Sequence, residues 1–248
     1  YNILVRAKDA SNQYSTQAIA ISVVDIDPNI TGPSGTVGAS TSSKTINENT
    51  TAVHTFTANE SVTWSLNGGD DASKFSINSS TGALTFNSAP DYESPTDVNS
   101  NNAYIVVVRA TDTSTNTSDQ TVIVDVANIT PVITGPSGSA GASDSSKSIN
   151  ENTTAVHTFT ANETVTWEKV ATNSYPDWGK FNLDSSTGAL SFNSPPDHES
   201  PTDSGGNNVY NILVRAKDAS NQYSTQAIAI SVVDIDPNIT GPSGTVGA

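Results

Sequence analysis

The sequence predicts an all-β protein made of tandem seven-stranded Greek-key sandwiches. Three observations lead to this fold class: the chain repeats itself, short apolar runs alternate with polar residues, and no segment keeps the apolar period of a helix. Hydrophobic residues make up 34% of the 248 residues, a low fraction that is typical of loop-rich β-proteins or of disordered chains. The close, regular spacing of the apolar runs favours folded strands.

The internal repeat sets the predicted domain organisation. Residues 1–39 are identical to residues 210–248, and the segment 46–60 recurs at 149–163. Two related repeats, A and B, therefore alternate, and we expect the natural polypeptide to extend beyond both ends of this chain. The predicted domains are 1–29, the last two strands of a truncated B-type repeat; 30–129, a complete repeat A; 130–238, a complete repeat B; and 239–248, the start of a following repeat.

Seven extended runs account for repeat A, and repeat B has equivalents of them. Polar turns with glycine at 78–82 and 184–188 are typical of hairpins. Residues 1–27 hold only the last two strands of a unit, and such a hairpin is marginally stable alone. The predicted strands of repeat A are 43–47, 53–58, 62–66, 75–77, 83–86, 104–110 and 121–126. Their predicted core residues are Val53 or Phe56, Trp64, Leu66, Phe75, Ile77, Leu84, Phe86, Tyr104, Val106, Val108, Val122 and Val124.

Composition excludes several classes of function. The 25 acidic and 10 basic residues give a net charge of −15, which argues against a nucleic-acid partner. Without cysteine there are no disulfides, thiolate zinc sites or cysteine nucleophiles. The longest apolar run is too short to span a membrane. No nucleophile elbow or phosphate-binding glycine loop is present, so we predict that the protein is not an enzyme.

Acidic residues recur near the predicted strand ends of both repeats. Strand ends on one side of a sandwich converge, so these carboxylates would repel each other unless a cation lay among them. Oxygen ligands from carboxylates, asparagine and backbone carbonyls, without histidine or sulfur, suit calcium better than zinc or copper. The recurring acids are Glu48, Asp91, Glu93, Asp97, Asp112 and Asp125 in repeat A, and Glu151, Asp197, Glu199, Asp203, Asp218, Asp234 and Asp236 in repeat B.

Short motifs containing these acids resemble those of cadherin repeats. Glu48 and Glu151 each lie in an Asn-Glu-Asn segment on the first strand, and Asp91-Tyr-Glu93 has its counterpart in Asp197-His-Glu199. A Val-x-Ala-x-Asp segment ends at Asp9, Asp112 and Asp218. The linkers Asp25-Ile-Asp27-Pro-Asn29 and Asp234-Ile-Asp236-Pro-Asn238 are rich in Asp and Asn, whereas Asp125-Val-Ala-Asn128 keeps one carboxylate.

The resemblance to cadherin repeats implies an immunoglobulin-like sandwich and a bound Ca²⁺ cofactor. It departs at the loop after the second strand, where cadherins carry paired aspartates and this chain has Asn59-Glu60 and Asn162-Glu163. The chain also resembles the cadherin-like repeats of long bacterial surface adhesins, which are free of cysteine and rich in Thr and Asn. The predicted metal ligands are Glu48, Asp91, Glu93, Asp112, Asp125, Asn128, Glu151, Asp197, Glu199, Asp218, Asp234, Asp236, Asn238, Asp9, Asp25, Asp27 and Asn29.

Together these features predict a calcium-stiffened extracellular spacer of a long, repetitive cell-surface adhesin. Its partners would be neighbouring repeats of the same polypeptide. Two alternatives stay open: a module that binds cell-surface glycans or identical arrays, and a subunit of an extracellular filament or surface layer. The segment 171–179 differs most between the repeats, and its Tyr175 and Trp178 would either pack or form an aromatic sugar-binding surface.

Overall fold

The computed structural model describes residues 1–236, which divide into two compact units, Tyr1–Ala127 and the part from Asn128 onward. The first unit holds an N-terminal hairpin and repeat A, and the second holds repeat B. The predicted domain boundaries stay a prediction. The predicted ligand Asn238 and the predicted segment 239–248 lie outside the described residues.

The N-terminal hairpin consists of β1 (Asn2–Lys8) and β2 (Tyr14–Ala20). The two strands are antiparallel and form a sheet of their own, and every residue in them is exposed. Asp9 stabilises the turn, because its Oδ1 accepts the N–H groups of Ser11 and Gln13, both at 2.9 Å.

Repeat A is a sandwich of a four-stranded and a three-stranded sheet. The larger sheet has the order β4-β11-β10-β7 and the smaller one the order β5-β9-β8, while β3 and β6 form a short separate pair. The chain passes between the two larger sheets four times, once by way of β6, so the connections are those of a Greek key. The strands are β3 (Ile30–Thr31), β4 (Thr41–Asn47), β5 (Ala52–Thr55), β6 (Thr57–Ala58), β7 (Thr63–Leu66), β8 (Phe75–Ile77), β9 (Ala83–Phe86), β10 (Ala103–Thr111) and β11 (Thr117–Ala127).

Alternating burial explains why these segments form a sandwich. In β10 every second residue is buried, which is the period of a strand with one face on a core. Tyr104 on β10 meets Phe75 and Phe86 of the other sheet edge-on, at centroid distances of 6.3 and 5.0 Å. The all-β sandwich fold predicted from the sequence is therefore confirmed.

Three details of the prediction differ from the structure. The predicted strand 53–58 is divided at Phe56: β5 pairs with β9, and β6 pairs with β3. Val53 and Phe56 are consequently both buried, although the sequence offered them as alternatives. Leu66 and Ile77 are only partly buried, because they lie at the ends of short strands.

Repeat B has the same arrangement. Its sheets have the orders β13-β20-β19-β16 and β14-β18-β17, with β12 and β15 paired separately. A 3₁₀ helix at Pro176–Lys180 replaces the shorter one at Ala72–Lys74 in repeat A. The strands are β12 (Ile133–Thr134), β13 (Asp144–Asn150), β14 (Ala155–Thr158), β15 (Thr160–Ala161), β16 (Thr166–Lys169), β17 (Phe181–Leu183), β18 (Ala189–Phe192), β19 (Val209–Lys217) and β20 (Tyr223–Val233).

Strand register gives each four-stranded sheet two distinct ends. In repeat A, β4 and β11 are parallel and finish together with Asn47 opposite Ala127, which we name the trailing end. At the other end, which we name the leading end, Thr111 of β10 lies opposite Thr117 of β11. Repeat B has the equivalent pairs, with its trailing end at β13 and β20 and its leading end at the turn between β19 and β20.

Candidate metal centres

The trailing end of repeat A brings three predicted ligands together. One oxygen each of Glu48, Asp91 and Glu93 lies within 4.8 Å of the others. Glu48 follows β4 directly and is buried, and its Oε2 accepts the N–H of Tyr92 at 3.0 Å. Asp91 Oδ1 accepts the N–H of Glu93 at 2.9 Å, so the Asp-x-Glu loop folds around its own first carboxylate.

The trailing end of repeat B has the equivalent group. Oxygens of Glu151, Asp197 and Glu199 lie within 4.8 Å of one another. The backbone N–H groups of His198 and Ile235 donate to Glu151 at 3.0 and 3.2 Å and hold the pKa of this carboxyl below its usual range.

The linker that follows repeat B joins this group. Asp234 has an oxygen within 4.8 Å of both Glu199 and His198 Nδ1 or Nε2, and Asp236 lines the same cavity as Glu151 and Glu199. The histidine is specific to repeat B, where it replaces Tyr92 of repeat A.

The leading end of repeat A holds a third group, formed by Asp25, Glu60 and Asp112, again with oxygens within 4.8 Å. Asp112 is buried, and its Oδ1 accepts the N–H groups of Ser114 and Asn116, both at 2.8 Å. The side-chain amide of Asn116 donates to Asp25 at 3.2 Å and to Asp112 at 2.9 Å. Asp25 lies in the segment between the hairpin and β3, so the group ties this linker to the sandwich.

Glu60 is a candidate ligand that is not among the residues predicted from the sequence. Burial, followed by the nearby charges of Asp112 and Asp25, raises the pKa of Glu60. Within residues 1–236, its Oε1 is buried and has no hydrogen-bond partner. The Asn-Glu pair that recurs in both repeats was the available signal, but it differs from the paired aspartates that cadherin repeats carry at this loop.

At the leading end of repeat B, the structure brings Asn128 and Asp218 together. The Asn128 side-chain amide donates to Asp218 Oδ2 at 3.3 Å. Asp218 is buried, and its Oδ1 accepts the N–H of Gln222 at 2.8 Å. Glu163 occupies the sequence position equivalent to Glu60.

Four of the predicted ligands lie outside the close groups described above. Asp9, Asp27 and Asp125 join none of the close groups of acidic and histidine side chains found in the described part of the chain. Asp125 lies within β11, and Asn29 donates its N–H to the Asn59 side chain at 2.6 Å. Their role as ligands stays a prediction.

The donor chemistry of these groups fits a hard divalent cation. Apart from His198, every close group consists of carboxylate oxygens, which repel one another when ionised and attract a cation placed among them. Calcium accepts six to eight oxygen ligands from carboxylates, amides and backbone carbonyls. Glu60 Oε1 is buried and has no hydrogen-bond partner among residues 1–236, so it is available to coordinate an ion.

No protein-family model matches the chain, and no curated protein matches it. Among solved structures, it is similar to repeats EC22–24 of mouse cadherin-23, with 19% identity, a TM-score of 0.37, and coverage of 94% of this chain and 74% of that one. It is also similar to repeats EC21–23 of human CDH23, with 20% identity, a TM-score of 0.38, and coverage of 79% of this chain and 68% of that one. A third similar structure is that of repeats EC1–3 of Drosophila N-cadherin, with 16% identity, a TM-score of 0.36, and coverage of 90% of this chain and 74% of that one. All three are structures of cadherin repeats. Within the described residues, no helix has the length and apolar character needed to cross a membrane.

Proposed function

We propose that this chain is a calcium-binding, non-enzymatic spacer of an extracellular adhesion protein, built from tandem cadherin-like repeats. The observation that carries the proposal is the group of Asp25, Glu60 and Asp112, in which a linker carboxylate meets two carboxylates of the sandwich. Such a group gives the linker a fixed position only when its like charges are neutralised.

The candidate ligands of the sandwich and those of the linkers have different roles. Backbone N–H groups hold the oxygens of Asp112, Glu48 and Glu151 in place, so that part of the site is oriented before an ion arrives. The linker residues Asp25 and Asp234 each place an oxygen within 4.8 Å of carboxylate oxygens of the sandwich. Bound calcium would supply positive charge that favours these positions and restricts the linkers.

Calcium removal is the direct test. We expect chelation to lower the melting temperature and to shorten the average end-to-end length in small-angle X-ray scattering, because linkers freed from the carboxylates sample bent conformations. An unchanged scattering profile and melting temperature at millimolar calcium and in chelator would contradict the proposal.

One substitution locates the effect. Glu60→Gln keeps the shape of the side chain but removes a charge, so we expect calcium affinity to fall by about tenfold or more, measured by calorimetry. Asp70→Asn is the matched control, because Asp70 is an exposed acid of the same repeat that joins no close acidic group within residues 1–236. Equal calcium binding by the two variants would remove Glu60 from the site.

A glycan-binding role is the second candidate, and the exposed Trp178 favours it. From the sequence, Trp178 could either pack or form part of a sugar-binding surface, and in the structure the residue is 42% exposed. Exposed indole rings are suited to stacking on the apolar faces of sugars. Trp178→Ala should then abolish binding on a glycan array, whereas an array that gives no signal with the parent chain would leave only the spacer role.

A further inference from the structure

The Asp-x-Glu motif carries a different middle residue in each repeat. This residue is Tyr92 in repeat A and His198 in repeat B. Tyr92 is partly buried and packs against the core of repeat A. His198 instead has its Nδ1 atom at 3.7 Å from Oε1 of Glu199. Repeat B therefore has a nitrogen ligand beside its acids at a position where repeat A has none.

The backbone of His198 is held in place on both sides of the residue. Its N–H donates to Glu151 Oε2 at 3.0 Å, and its carbonyl oxygen accepts the side-chain amide of Asn208 at 2.8 Å. Tyr92 makes the equivalent two bonds in repeat A, at 3.0 and 2.9 Å. The two repeats fix the backbone at this position in the same way, so the ring that it presents is what differs between them.

His198 belongs to a close group that also contains Glu199 and Asp234. A ring nitrogen of His198 and one oxygen of each acid lie within 4.8 Å of one another. Zinc binds imidazole nitrogen at about 2.0–2.1 Å and carboxylate oxygen at about 2.0–2.2 Å, which in a tetrahedral site leaves about 3.3–3.6 Å between ligand atoms. The 3.7 Å between His198 and Glu199 is close to this spacing. Both acids are exposed, so small rotations of their side chains can supply the remaining adjustment.

The imidazole nitrogen gives this group a chemistry that the purely acidic groups lack. Calcium takes oxygen ligands, whereas imidazole suits zinc, copper and nickel. The other two histidines of the chain, His54 and His157, join no close group of metal-ligating side chains within residues 1–236. One imidazole and two carboxylates supply three protein ligands to a tetrahedral ion and leave the fourth position to water.

We propose that His198, Glu199 and Asp234 form a zinc site in repeat B. Glu199 is also part of the candidate calcium group with Glu151 and Asp197, so the two sites adjoin. The zinc site needs no bound calcium and does not rest on the proposed calcium function. Asp234 lies in the linker that follows β20, whereas the other two ligands lie in a loop of the sandwich. Bound zinc would therefore tie this linker to repeat B.

Zinc titration of the calcium-free full chain is the direct test. We expect calorimetry to show a zinc site, and we expect His198→Gln to weaken binding at this site by about tenfold or more. His157→Gln is the matched control, because His157 is a partly exposed histidine of the same repeat that joins no close group within residues 1–236. Equal zinc affinity in the two variants, or no zinc binding by the parent chain, would overturn the proposal.

NMR spectroscopy of the imidazole nitrogens identifies the ligand. Zinc should shift the ring-nitrogen resonances of His198 and leave those of His54 and His157 in place, because only the first ring contacts the ion. A shift of all three histidines, or of none, would mean that zinc does not bind through this group.

Calcium titration separates this proposal from the proposed function. His198 is not one of the predicted calcium ligands, so His198→Gln should bind calcium with an affinity within about twofold of that of the parent chain. A parent chain that binds zinc but not calcium would contradict the calcium function and support the zinc site, and one that binds calcium but not zinc would do the reverse. If His198→Gln loses calcium together with zinc, the substitution disturbs the loop, and the direct role of His198 is wrong.

Discussion

Buried carboxylates at single positions hold loops to strands in both repeats. Asp71 is buried, and its two oxygens accept the N–H groups of Val98 and Ile105, both at 2.8 Å. Asp177 makes the equivalent pair of bonds with Ser204 and Asn211. Since both partners are backbone groups, these aspartates position the long loop that carries the trailing-end acids.

Replacing Asp71 should therefore cost stability without touching a metal ligand. Asp71→Ala leaves two N–H groups unpaired near the core, and we expect the free energy of unfolding to fall by about 3 kcal/mol in urea denaturation. Asp70→Ala changes the exposed neighbour and should cost less than about 0.5 kcal/mol. Similar losses for both variants would contradict this assignment.

Two histidines make stability depend on pH. Partial burial, and then the charges of Lys44 and Lys147, lower the pKa of His54 and His157 in the folded protein. The unfolded chain thus binds these protons at higher pH than the folded chain does. Stability should fall as the pH drops below about 6.5 towards the lowered values. His54→Gln with His157→Gln should flatten this part of the curve in thermal melts between pH 7 and 5, and an unchanged slope would show that other groups control it.

At this scale the sequence predicted part of the candidate sites. Glu48, Asp91 and Asp112 could be proposed because they recur beside strand ends, and the structure brings each into a close group. Glu60 could not be proposed with the same force, since it is close to Asp112 only because two loops 52 residues apart in the sequence meet in the folded sandwich.

The division of a predicted strand at Phe56 is the main lesson at the level of elements. Alternation of apolar and polar residues predicted one strand over 53–58, but it carries no information on which sheet a strand joins. The structure turns the chain at Phe56, whose N–H donates to the carbonyl oxygen of Gly82 at 3.0 Å. The seven longer runs were predictable from their pattern, whereas the two-residue strands β3 and β6 were too short to produce one.

The Gly82 turn gives a prediction for this element. Gly82 has a φ of +72°, and an added Cβ would lie 2.8 Å from the Phe56 carbonyl oxygen. Gly35 has a similar φ of +76° but open space around it. We expect Gly35→Ala to cost about 1 kcal/mol from backbone strain alone and Gly82→Ala clearly more, measured by chemical denaturation. Equal costs would mean that the turn relaxes away from Phe56.

On the scale of the whole molecule, the net charge of −15 and the clustering of acids at the ends of repeats both increase the repulsion between carboxylates. Composition predicted the charge and the repeat predicted its periodic placement. These features do not distinguish the proposed spacer from a binding module, because a binding surface depends on exposed side chains such as Trp178.

Sodium chloride should reproduce only part of the stabilisation that calcium gives. In chelator, raising sodium chloride to about 0.15 M shortens the screening length to about 8 Å and should raise the melting temperature by weakening repulsion between carboxylates. Carboxylate oxygens within 4.8 Å of each other are closer than this screening length and are poorly screened, so millimolar calcium should raise the melting temperature further. A melting temperature that sodium chloride raises as much as calcium does would indicate charge screening rather than ion coordination.

The parallel pairing of β4 with β11 bears on how a repeat responds to tension. The two strands run in the same direction along seven paired residues, with β4 near the start of the sandwich and β11 at its end. A pull on the two ends of repeat A would drag β4 and β11 in opposite directions along their length. The hydrogen bonds between them would then share the load in shear instead of opening one after another, an arrangement that resists mechanical rupture.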